Sequence, residues 1–159
     1  MTRARHTTMG FAARLLCVLG MGWLSQAALA ETACLFTTVA GVGFGAYDVF
    51  SERPNNQGVG SIGIDCKGAG NTVFDVSLST GQSQSYVTRT LRAGANLLNY
   101  NLYTSAGRTQ VWGDGSGASS VMQVQKNKPV ALDIFGQIPA GQDVAVGSYS
   151  DAIVVTVNF

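Results

Sequence analysis

The chain has 159 residues and a formal net charge of +1, with 12% charged side chains, 46% apolar residues and 20 glycines. A length of this order suits one domain with one core. The cations are few and dispersed, which argues against a nucleic-acid partner, since that affinity needs a concentrated basic surface.

Arg3, Arg5 and Arg14 precede a mainly apolar run from Leu15 to Leu24, and Ala28-Leu29-Ala30 supplies the small-x-small pattern read by signal peptidase. Residues 1–30 are therefore expected to be a signal peptide cleaved before Glu31, and residues 31–159 the folded domain. The run is interrupted by Gly20 and Gly22 and is short for a bilayer span, so no permanent membrane insertion is expected. Three of the ten Lys and Arg lie in this segment, which leaves seven cations against nine acids and a net charge of −2. His6 and Cys17 lie there too, so the expected domain holds no histidine and two cysteines, Cys34 and Cys66. In an oxidising compartment such a pair reads as one disulfide. Closing a loop of about 33 residues would stabilise the fold by roughly 3–4 kcal/mol in the chain-entropy view.

No segment carries a sustained 3.6-residue apolar period, and the chain reads as all-β. A first strand is expected around Cys34–Val39, followed by the glycine-rich break Gly41–Gly45 and a short strand at Tyr47–Phe50. Ser51–Gly60, with Pro54-Asn55-Asn56, reads as a polar loop. Ser61–Cys66 places Ile62, Ile64 and Cys66 on one face, and Val73–Leu78 does the same with Phe74, Val76 and Leu78. A short strand at Tyr86–Leu91 is expected to turn Arg89 and Arg92 outward. Leu97–Tyr103 carries Leu98, Tyr100 and Leu102 on one face and reads as a central strand. Val111-Trp112, Val121–Gln125 and Val130–Ile138 add further short strands. The last runs from Tyr149 to Phe159, where every second residue (Tyr149, Asp151, Ile153, Val155, Val157, Phe159) shares a face and all but Asp151 are apolar. About eight strands at short spacing, with hairpin-like turns and a disulfide, predict an immunoglobulin-like β-sandwich.

Little in the chain points to chemistry. With no histidine after residue 30, Ser-His or Cys-His nucleophilic catalysis in the expected domain is excluded by composition. The carboxylates, Asp114 and Asp133 among them, show no spacing that pairs them, so no enzyme is expected. The loop Gly113–Gly117 lacks the Lys-Ser/Thr ending of a phosphate cradle, and Asp114 has no EF-hand spacing around it, so neither cofactor nor metal is expected. Trp112, beside that loop, is the candidate ligand contact, because an aromatic face stacks on sugars and other apolar ligand surfaces. The competing role for Trp112 is that of a sandwich-core tryptophan.

Six stretches stand out together: Phe44-Gly45-Ala46-Tyr47-Asp48, Asp65-Cys66, Leu98-Asn99-Tyr100-Asn101-Leu102-Tyr103, Val111-Trp112-Gly113-Asp114-Gly115, Phe135–Gln142 and Gly147-Ser148-Tyr149-Ser150-Asp151. In this order they resemble the spore coat protein U domain family, the subunits of archaic chaperone-usher pili. The resemblance implies an incomplete sandwich lacking its last strand, completed by a strand from outside. A periplasmic pilus chaperone would lend that strand, an outer-membrane usher would deliver the subunit, and a neighbouring subunit would replace the chaperone. The protein would then sit at the cell surface in a pilus or coat. On that analogy Ile153, Val155, Val157 and Phe159 line the strand-acceptor groove. Only Glu31, Thr32 and Ala33 precede Cys34 after the expected cleavage, too few for a donor arm of around ten residues at about 3.3 Å each. Such a subunit accepts a strand without giving one, as a pilus tip would. The alternative reading is a free-standing secreted module that binds carbohydrate or another surface.

Overall fold

The computed structural model describes residues 32–68 and 73–158. The expected signal peptide and Phe159 lie outside the described residues. Ten strands follow in chain order: β1 (Ala33–Gly43), β2 (Val59–Lys67), β3 (Val73–Leu78), β4 (Arg89–Ala93), β5 (Asn96–Tyr103), β6 (Val111–Trp112), β7 (Ser119–Ser120), β8 (Met122–Gln125), β9 (Val130–Gln137) and β10 (Val155–Asn158). One 3-10 turn, Gly81–Ser83, sits between β3 and β4. The larger sheet runs β1-β2-β9-β5-β6-β7, with β4 paired to β5; the smaller runs β10-β3-β8. All pairs are antiparallel except β6 with β7. The molecule is an all-β sandwich of two sheets with one disulfide, Cys34–Cys66.

The core follows the two-residue period of the strands. Ile62, Ile64 and Cys66 of β2, Phe74, Val76 and Leu78 of β3, Leu98, Tyr100 and Leu102 of β5, and Leu132 and Ile134 of β9 are buried on facing surfaces. Each such aliphatic or aromatic side chain contributes about 1.5–3 kcal/mol when fully buried. Trp112 on β6 is completely buried, and its indole Nε1–H donates to the Val76 carbonyl at 2.9 Å, tying the two sheets together. Phe44 lies over two glycines. A Cβ at Gly58 or Gly136 would come 2.5 Å from its ring, so both positions must lack a side chain for the ring to lie flat there. Its edge meets the Tyr100 ring at a centroid distance of 5.7 Å.

Three expectations are corrected. Tyr47–Phe50 is not a strand: Gly45 takes φ +67°, and the Asp48 carboxylate accepts from the Phe50 N–H at 2.9 Å, which turns the chain. The strand expected from Tyr86 begins only at Arg89, because the Tyr86 hydroxyl donates to the Leu78 carbonyl and Asn101 Nδ2 donates to the Tyr86 carbonyl. Arg89 is fully buried rather than outward. Its guanidinium donates to Ser79 O (3.0 Å from Nε, 2.8 Å from Nη2), Trp112 O (2.7 Å) and Asn101 Oδ1 (2.6 Å), and it packs 5.2 Å from the centre of the Tyr86 ring.

Candidate functional site

The two sheets differ in width, and the mismatch leaves one side of the sandwich open. Phe36 pairs with Ile64 and Val39 with Ile62, so both point to the same side as those core residues. Yet Phe36 is 48% and Val39 66% exposed, whereas Ile62 and Ile64 are each 1% exposed. Inward direction without burial means that nothing covers β1 from the opposite sheet. On that opposite sheet the outer strand is β10, paired with β3 through Val155 to Leu78 and Val157 to Val76. Its other edge pairs with no strand among the described residues.

Between these edges lies a cleft of about 810 Å³. Its floor is core: Ile62, Leu78, Leu98, Leu102 and Ile134 all reach it. Its walls are two largely irregular segments, residues 39–50 and 144–151. The walls are fastened by side chains. The Tyr47 hydroxyl donates to the Pro139 carbonyl and accepts from the Gln142 N–H, both at 3.0 Å, while Asn55 Nδ2 donates to the Phe44 carbonyl at 2.9 Å.

Of the residues expected to line a groove, Ile153 and Val155 line the cleft, and Val157 is half-buried against the core on the same face. Phe159 lies outside the described residues. The strand is shorter than the alternation suggests: regular pairing with β3 starts at Val155, although the Ser79 N–H already donates to the Val154 carbonyl at 2.9 Å. Before that point the chain is held by the larger sheet, where Ser150 and Arg92 exchange both backbone hydrogen bonds at 2.8 and 3.0 Å. Asp151, the polar exception in the alternation, sits between. Its carboxylate accepts from the Tyr100 hydroxyl at 2.8 Å and from the N–H groups of Gln82 and Ala152 at 3.0 and 2.8 Å. Burial first, and then this carboxylate, push the Tyr100 phenol well above the usual tyrosine range.

Trp112 does not meet the expectation of a ligand contact. It is buried on all sides and presents no face to solvent, so the core role is the one it fills. The loop beside it is closed on itself: Asp114 Oδ1 accepts from the Ser116 N–H at 2.9 Å and the Ser116 hydroxyl at 2.6 Å, which holds that carboxyl below the ordinary value. No group of metal-ligating side chains is present among the described residues. The contribution of β1 to the cleft was missed from sequence. Its available signal was the spacing of Phe36 and Val39, which falls out of a two-residue period because a bulge intervenes between Phe36 and Thr38.

These features define a class: a two-sheet, disulfide-bonded sandwich in which two edge strands flank an uncovered apolar cleft. The chain belongs to the Spore Coat Protein U domain family, whose pattern matches residues 22–156. It is 29% identical over 140 residues to Protein U of Myxococcus xanthus, covering 80% of this chain and 78% of that protein. In fold it is similar to a chain in the crystal structure of the CsuC–CsuE chaperone–tip adhesion subunit pre-assembly complex, from archaic chaperone-usher Csu pili of Acinetobacter baumannii. There the TM-score is 0.56 at 24% identity, over 81% of this chain. The chain spans 40% of the length of that structural relative.

Proposed function

We propose that the protein is an exported structural subunit of a pilus or surface coat, assembled by accepting an extended strand into the cleft between β1 and β10. The observation that carries the reading is the pair of inward-facing yet exposed residues Phe36 and Val39 opposite the unpaired edge of β10. A strand laid along that edge gains backbone hydrogen bonds and brings every second side chain onto the apolar floor. From Ile153 to Asn158 the edge offers about six residues, roughly 20 Å at ~3.3 Å per residue. Ile153, Val155, Val157 and Phe159 are the acceptor residues on this reading. Burying the exposed apolar wall supplies the driving force, on the order of 25 cal/mol per Å² covered.

The family and the chaperone-bound state of the structural relative support a periplasmic chaperone as the first strand donor, an outer-membrane usher as the export gate, and a neighbouring subunit as the final donor. The protein then resides at the cell surface, after removal of residues 1–30. Cleavage before Glu31 leaves three residues ahead of Cys34, and such a subunit accepts a strand without donating one, which suits a terminal position in a fibre. Mass spectrometry of the exported protein tests this point: a mature N-terminus well upstream of Glu31 would restore a donor arm.

The central test is periplasmic expression of the full chain, alone and with a candidate pilus chaperone, followed by sizing and unfolding. The expected result is soluble protein only as a one-to-one complex. A monomer that melts cooperatively without a partner would refute strand acceptance and favour a free-standing surface-binding module.

A further inference from the structure

The polar exception in an otherwise apolar alternation has a definite geometric place. Ser150 is bonded to Arg92 of β4, in the larger sheet, and Val154 is bonded to Ser79, next to β3 of the smaller sheet. Between them the chain changes sheets within four residues, and Asp151 is the first residue of the crossing. Its carboxylate accepts from Tyr100 on β5 of the larger sheet and from the Gln82 N–H of the 3-10 turn, so three elements meet on one side chain. Gly81 makes room for it: the residue has φ +62°, and a Cβ there would collide with both carboxylate oxygens.

β10 needs such a fixture. It is four residues long, its outer edge is unpaired among the described residues, and a slip of one residue would turn Val155 and Val157 away from the core and Thr156 and Asn158 into it. We infer that Asp151 is a positioning residue for strand acceptance: clamped by the Tyr100 hydroxyl and the Gln82 amide, it pins the sheet crossing and thereby sets the register in which Ile153 and Val155 face the cleft. This inference rests on the strand-acceptor reading for its purpose, but its geometry is testable without a partner.

The test is hydrogen exchange by mass spectrometry on the exported full chain, in whichever form it is recovered, comparing wild type with Asp151→Leu, Tyr100→Phe and the double variant. Leucine branches at Cγ as aspartate does but cannot hydrogen-bond, and phenylalanine lacks only the hydroxyl, so the core stays filled. The expected result is exchange faster by about tenfold or more in residues 149–154 and 81–84, the scale of losing one hydrogen bond to a charged group, with β2 and β9 unchanged. The double variant should be no faster than Asp151→Leu alone, because the bond that Tyr100→Phe removes is already lost there. Uniform acceleration across all strands would overturn the inference, since it would mean a general loss of stability, and so would unchanged exchange at 149–154. In parallel, both single variants should be recovered with the chaperone at a fraction of the wild-type yield. If wild type itself never binds the chaperone, the strand-acceptor reading fails while the exchange pattern still decides whether Asp151 holds the crossing.

Discussion

Replacing Arg89 by methionine sets two large effects against each other. The guanidinium is fully buried and has no carboxylate partner among the described ion pairs, so removing it relieves a desolvation cost of several kcal/mol. Against this, the Ser79 and Trp112 carbonyls lose their guanidinium donor, while Asn101 Oδ1 keeps the Leu102 N–H at 3.0 Å, and an unsatisfied buried acceptor costs about 1–3 kcal/mol. Both orphaned acceptors are backbone carbonyls, which no side-chain substitution can remove, so the acceptor term should win. We expect Arg89→Met to lower stability by about 3 kcal/mol after partial relaxation, a large share of the ~5–15 kcal/mol typical of a domain. In urea unfolding this is a midpoint shift of roughly 1.5–2 M at a slope of about 1.5–2 kcal/mol/M. Arg89→Lys retains the charge on one nitrogen that cannot span all three acceptors, and should fall between. A loss below about 1 kcal/mol for the methionine variant, or a gain, would refute the claim that the acceptors outweigh desolvation.

Cys34→Ser should cost about 3–4 kcal/mol by freeing the β1 end, read from thermal or urea melting under non-reducing conditions. Val155→Asp places a charge on the half-buried inner face of β10 and should abolish recovery of soluble protein, whereas Thr156→Asp, on the exposed outer face, should leave the yield unchanged; equal effects would contradict the register with β3. Gly136→Ala drives a methyl to 2.5 Å from the Phe44 ring and 2.9 Å from Val42, and should cost about 1–3 kcal/mol, measured by the same unfolding assay. Stability should also fall at high pH. The raised Tyr100 phenol stays protonated in the fold while the unfolded chain ionises near 10.0, so its stabilising share is intact below that pH and declines as pH climbs above it; Tyr100→Phe should flatten the decline.

Much of the sandwich is legible in the sequence because β2, β3, β5 and β9 bury their large apolar side chains on one face, and a two-residue period records that directly. What escaped depends on neighbours distant in sequence. Arg89 shares its parity with Leu91, which borders the cleft, so the alternation did place it inward; a cation among Thr88 and Thr90 nevertheless reads as solvent-facing when its acceptors, supplied from Ser79, Asn101 and Trp112, are not in view. The final strand was overextended for a related reason. Asp151 keeps the parity of β10, but its backbone neighbours bind a different sheet, and periodicity carries no information about which sheet a residue joins. The inner face of the last segment was visible as Ile153, Val155 and Val157. The opposing wall was not, because a bulged edge strand loses the regular period by which its inner face would be recognised.

The irregularities of β1 matter also for what does not happen. Its pairing with β2 shifts register between Phe36 and Thr38 and again between Ala40 and Gly43, which leaves regular runs of only three or four residues. Exposed apolar edges ordinarily recruit further copies of themselves, but a second molecule laid along β1 would find its hydrogen-bond ladder interrupted twice and its twist changed at each interruption. The edge of β10 from Val155 to Asn158 has no such break in its register with β3. A sandwich with two sticky margins thus keeps one of them inhospitable to self-association, and crowding the protein at high concentration should yield chains of contact through the smooth margin before it yields sheets built on the rough one.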